Sequence, residues 1–293
     1  MGFFFEVLVG GLLAGVMYSL VALGFVLIYK ASGVFNFAQG AMVFFAATTF
    51  AGLVGLGWRG WMAFIASLVV MVLFALATER FVLRPLVNQP QISLFMATIG
   101  LTFVLEGVAQ GIWGSEVRGL DLGIPDAPLE VKGILISKFD LVAAATAAVL
   151  VTVLALFFQK TRVGRALRAV ADDHQAALSV GIPLERIWAL VWGAAGAVAL
   201  VAGLLWGSRL GVQFALTQVA LKALPVLILG GFTSIAGAIV GGLLVGASEK
   251  VAEVYLGPLI GGGIENWFPY VLALLFLLMR PDGLFGEKRI ERV

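Results

Sequence analysis

The sequence predicts an all-α polytopic membrane protein, on three observations. Hydrophobic residues fill 61% of the 293 positions and charged residues 12%, where a soluble domain carries roughly 25% charge. Apolar runs recur at about the 20-residue length that a helix needs to cross a bilayer core. Basic residues gather in short loops between those runs, the pattern of a cytoplasmic face. The formal charge of +2 is too small to suggest a nucleic-acid partner, and the absence of cysteine excludes disulfides and thiolate metal sites. The chain reads as one integral domain, residues 1–293, with no soluble domain.

The first run, Val7 to Tyr29, follows Glu6 with no basic leader and no small-residue cleavage pattern. It is expected to be a retained membrane helix rather than a signal peptide. Phe35 to Leu56 opens on Asn36, Gln39 and Gly40, and Trp61 to Ala77 leads into Arg80, Arg84 and the helix-stopping Pro85. Ile92 to Trp113 carries Glu106. The loop from Gly114 to Asp140 holds Glu116, Asp121, Asp126, Glu130 and Asp140 against Arg118, Lys132 and Lys138, and fits outside. Leu141 to Phe158 and Ile187 to Trp206 flank a polar island, Gln159 to Arg186. Val219 to Gly231 and Ile235 to Ala247 are short and Gly-rich, with a break at Gly230 to Ser234. They read either as two spans or as a re-entrant hairpin. Ile264 to Met279 makes the last crossing. The expectation is eight or nine segments, with the N-terminus outside and the C-terminus, with Arg280, Lys288, Arg289 and Arg292, in the cytoplasm.

The island concentrates Lys160, Arg162, Arg165, Arg168 and Arg186 with the single histidine, His174. From Arg165 to Val180 the polar residues Arg165, Arg168, Asp172, Gln175 and Ser179 share one helical face, and Leu167, Val170, Ala171, Ala177 and Leu178 the other. Gly181 stands where a left-handed C-cap is wanted, and Pro183 prevents continuation. Two arginines in the first turn oppose the helix dipole. That arrangement suits a soluble partner or anionic lipid better than local stability. An interfacial helix snorkelling its arginines into headgroups is the other reading.

Glu106, Lys222, Glu249 and Lys250 fall at membrane depth, where each charge costs about 2.5–3.5 kcal/mol by insertion scales. Glu249 is within reach of Lys222. Either the pair is structural, or these groups with Glu106 line a polar path or an ion-coupling site. Asn36 and Gln39 at a Gly-permitted helix start can present donors to a zwitterionic or anionic solute, or simply cap and bridge helices. No Walker A, HExxH or Ser-His-Asp pattern occurs, so no catalytic residue, cofactor or metal is expected.

Phe35 to Gly40, Glu79 to Pro85, Gly164 to Ala169 with Asp172, Ala176 and Gly181-Ile182, and Leu229 to Gly231 through Ser234, Gly237, Gly241-Gly242, Gly246 and Glu249 together carry a resemblance. So does the ending Arg280 to Gly286. The chain resembles the LivH-type permease subunits of branched-chain amino acid ABC importers, along essentially its whole length. The resemblance implies that the island is a coupling helix in a groove of a cytoplasmic ATPase, with Gly164, Arg165, Arg168, Asp172, Ala176 and Gly181 at the contact. It implies a second related permease, two ATP-binding subunits, an extracytoplasmic solute-binding protein, lipid, and a bacterial inner-membrane location. The candidate path is then Asn36, Gln39, Glu106, Lys222 and Glu249. Gln39 stands where relatives usually have histidine, and Phe232 to Gly237 lacks the usual glycine and proline. These departures bear on substrate, since close relatives carry urea and short-chain amides. An ion-coupled secondary transporter using Glu106 or Lys222 is the alternative from another class.

Overall fold

The computed structural model describes residues 2–86, 89–125, 127–131, 133–172, 177 and 179–286. The architecture is helical, and among these residues six helices are long and apolar enough to cross a membrane. They are α1 (Gly2–Ser32), α3 (Gly60–Thr78, continuing through a π turn and a 3-10 turn to Leu86), α4 (Gln91–Trp113), α5 (Lys138–Lys160), α7 (Leu184–Leu210) and α10 (Ile235–Ile260). Shorter apolar elements are α2 (Gln39–Gly55), the broken stretch Phe214–Gly230, and α11 (Phe268–Met279). The island contributes α6 (Arg162–Asp172). A small antiparallel hairpin, β1 (Pro128–Val131) with β2 (Ile134–Ser137), lies in the charged loop between Gly114 and Asp140, where no strand was expected. Its strands are four residues each, and Ile134 to Ile136 run apolar without alternation, so no strand period stands out from the charged loop.

The chain divides into two compact units. One comprises Leu23–Leu122 and Thr152–Ala220, and its core is α2, buried continuously from Gln39 to Gly52. A 17-residue helix with no polar face suits only a position enclosed by other helices. α7 packs on it through Gly203, where a Cβ would come within 2.6 Å of the Val43 carbonyl. The Trp188 indole N–H donates to the Ala31 carbonyl at 3.0 Å, tying α7 to the end of α1.

The other unit comprises Met1–Ala22, Gly123–Val151 and Leu221–Val293. Here the first half of α1 crosses α10 through small residues: a Cβ on Gly11 would lie 2.6 Å from the Gly246 carbonyl, and one on Gly15 2.5 Å from that of Gly242. The GxxxG spacing on both helices makes this backbone-to-backbone approach possible.

The structure corrects the expectation for the Gly-rich pair. The second arm does not stop at Ala247; α10 runs 26 residues to Ile260, about 39 Å at 1.5 Å per residue. Within this longer helix Glu249 is buried with partners, and Glu253 accepts the backbone N–H of Gly263 and Glu265 to close the following turn. The first arm is the irregular one, a 3-10 turn (Phe214–Gln218), then α8 (Val219–Lys222), then α9 (Leu224–Gly230).

Candidate functional site

The island folds back on α5. Thr161 caps α6, its hydroxyl accepting the Gly164 N–H at 3.2 Å. Gly164 is buried against the Phe158 carbonyl, where a Cβ would clash, so only glycine permits the approach. Arg168 donates to the carbonyls of Phe158 at 2.9 Å and Gln159 at 3.3 Å, the exposed carbonyl end of α5. A guanidinium there satisfies groups that the helix leaves unpaired and complements its dipole. This corrects the sequence argument, which placed Arg165 and Arg168 in a first turn beginning at Arg165. The helix begins at Arg162, and Arg168 has a local structural partner. Arg162 and Arg165 are exposed.

The expected stop is present. Gly181 has φ +81, and the Ile182 N–H reaches the Ala177 carbonyl at 3.0 Å, the long bond of a Schellman cap. Ala176, with His174 and Gln175, lies outside the described residues, as do Asp126, Lys132, Lys288, Arg289 and Arg292. Beyond the cap, Glu185 in the first turn of α7 pairs with Arg84, which also pairs with the buried Glu79 at 3.5 Å. Glu79 and Arg84 are five residues apart and meet because this stretch winds as a π turn, while Glu185 lies 101 residues away, so neither pairing has a helical spacing signal in the sequence.

Asn36 and Gln39 come together at the start of α2, both fully buried. The Asn36 amide donates to Gln39 Oε1 at 3.3 Å, and its oxygen accepts the Ala38 N–H at 3.1 Å. Thr98 of α4 accepts the Phe37 N–H at 3.1 Å and donates to the Phe35 carbonyl at 3.4 Å, so the nonhelical entry is held by side chains. The Gln39 amide nitrogen has no partner among the described residues and packs against Gly24.

Lys222 and Glu249 meet with Nζ 3.4 Å from Oε1, and the Tyr18 hydroxyl donates to the same oxygen at 3.1 Å. Glu106 has no ion pair or hydrogen bond among the described residues, and it does not join Asn36 and Gln39 within its own unit. A feature the sequence did not reveal is a small recess lined by Phe44, Thr48, Gln110, Glu116, Arg118 and Phe214. It forms because Arg118 bridges to Val212 through paired backbone bonds, a contact of loops without a sequence signature.

Residues 7–280 match the family described as the branched-chain amino acid transport system permease component. The chain belongs to that family. Among its relatives is the high-affinity branched-chain amino acid transport system permease protein BraD of Pseudomonas aeruginosa, 30% identical over 99% of this chain and 98% of that one. LivH of Escherichia coli, carrying the same description, is 28% identical over 99% of this chain and 98% of its own length. A probable branched-chain amino acid transport permease LivH of Methanocaldococcus jannaschii is 28% identical over 98% of this chain and 95% of that protein. The fold is similar to a chain of PsaBC from Streptococcus pneumoniae in complex with Fab, with a TM-score of 0.50 at 15% identity, covering 92% of this chain and 89% of that one. The protein is therefore a polytopic permease component, as the resemblance implied.

Proposed function

We propose that this permease is the membrane-spanning subunit of an ATP-driven importer for branched-chain or other apolar amino acids in a bacterial inner membrane. All of residues 1–293 act as one permease domain. ATP is hydrolysed on two cytoplasmic partner subunits, a second related permease completes the pathway, and an extracytoplasmic binding protein delivers solute. The solute class is that of the BraD and LivH relatives, which align with almost the whole chain.

The observation that carries the coupling mechanism is the anchored island helix. It is fixed at its start by Thr161 and Gly164, clamped to α5 by Arg168, and stopped at Gly181. A lipid tether needs no such framing. A lever does, because force applied at exposed Arg162 and Arg165 reaches α5 only if the helix cannot swing independently. Arg84 carries the same motion from α7 to α3 through Glu185 and Glu79. Asn36, Gln39, Glu106, Lys222 and Glu249 supply the polar groups along the solute route.

Uptake of labelled leucine by cells carrying the assembled importer tests the reading. Uptake should persist when an ionophore collapses the membrane potential and stop when ATP is depleted. The reverse dependence would make the protein an ion-coupled carrier.

A further inference from the structure

The Lys222–Glu249 pair is incompletely satisfied in a way that an amino-acid head group would complete. Both Tyr18 and Lys222 converge on Oε1 of Glu249, while Oε2, buried in a residue 5% exposed, has no hydrogen-bond partner among the described residues. An ammonium has three donors, and that of Lys222 has the single partner Glu249 among those residues; its side chain is 28% exposed. A buried pair retained only for structure gains its stability by satisfying the remaining lone pairs and protons. This one leaves a buried acceptor on one side and accessible donors on the other.

The backbone beside the pair is also irregular. Lys222 ends α8, Ala223 is a turn, and α9 begins at Leu224, so the chain breaks where the charge sits. Glu249 faces it from about halfway along the unbroken α10. Irregular backbone at membrane depth is tolerated where it is enclosed by protein or lines a polar cavity. Breaks of this kind also place solute sites in transporters of other designs.

We propose that Lys222 and Glu249 form a charge-exchange site for the head group of a zwitterionic amino acid, a reading that rests on the amino-acid importer assigned above. The solute carboxylate takes the donors of Lys222, and its ammonium takes the open Oε2 of Glu249. Tyr18 holds Oε1 throughout, so the carboxylate keeps its orientation as the lysine turns to the solute. The internal pair stands in for the solute between transport cycles. No uncompensated charge is therefore exposed to the membrane interior at any stage, which a lone lysine or glutamate would not allow.

The test uses the assembled importer in proteoliposomes with its binding protein, and measures folded yield and uptake of labelled leucine. Lys222→Met with Glu249→Gln removes both charges together. The expected result is yield within twofold of wild type and leucine uptake reduced at least tenfold. Yield and uptake both within twofold of wild type would overturn the proposal, since the pair would then be structural alone. If the neutral double variant does not accumulate, Lys222→Glu with Glu249→Lys keeps a pair in place with its poles reversed. Uptake reduced at least tenfold is again expected, and uptake within twofold of wild type would overturn it. A wild-type importer that carries isobutyramide but no leucine would remove the amino-acid reading itself, and the exchange site with it.

Discussion

Arg165 and Arg168 look equivalent in the sequence, one helical turn apart on the same polar face, yet the structure separates them. Arg168 is occupied by the carbonyls of Phe158 and Gln159, whereas Arg165 is exposed. Their substitutions should therefore divide. Arg168→Ala should destabilise the fold by about 1 kcal/mol, the scale of a helix-end cap, seen as a lower melting temperature of the purified protein. Arg165→Glu should leave that temperature unchanged and reduce uptake at least tenfold. The opposite division, with Arg165 stabilising and Arg168 neutral, would reassign the two roles. Periodicity placed both on one face but could not reveal that the island folds back onto α5, because that contact depends on Gly164 lying against a backbone atom with no pattern of its own. The Lys222–Glu249 contact was more legible, since two opposite charges in apolar surroundings have few other ways to be accommodated. That both Tyr18 and Lys222 choose the same oxygen of Glu249 was not.

Among the helices, long apolar runs were readable because composition and length suffice to define them. α4, α5 and α7 begin within three residues of their expected starts. The Gly-rich stretch was readable in part: the break at Gly230 to Ser234 separates α9 from α10, with Gly231 at φ +99, but the glycines beyond it serve helix contact rather than helix interruption. Gly242 and Gly246 lie inside a continuous α10 and receive α1. Positions along α1 should respond accordingly. Gly15→Leu should abolish folded protein, because a side chain there meets the backbone at Gly242, while Gly10→Ala, with open space around its Cβ, should accumulate normally. Comparable yields of the two, measured by size-exclusion profile after extraction, would contradict the crossing. At the other extreme, the Phe214–Gly230 element combines 3-10 and α pieces whose limits no periodicity marks.

For the whole molecule, the sequence gathers basic residues at the ends of α3 and α5 and in the island, and acidic ones between Gly114 and Asp140. If that asymmetry sets the orientation, single cysteines replacing Arg162 and Asp121 should react with an impermeant thiol reagent from opposite sides of the membrane. The cysteine-free background makes each label unambiguous. Reaction of both from one side would overturn the assignment of the island to the cytoplasm.

The central claim is that the framed helix α6 is the lever on which a cytoplasmic ATPase acts. Arg165→Cys, carrying a photoactivatable crosslinker in the assembled importer, addresses it directly. The account predicts a covalent product with the ATP-binding subunit, with a yield that changes when ATP is added. A crosslink to lipid alone, unaffected by ATP, would contradict it and leave α6 as an interfacial anchor.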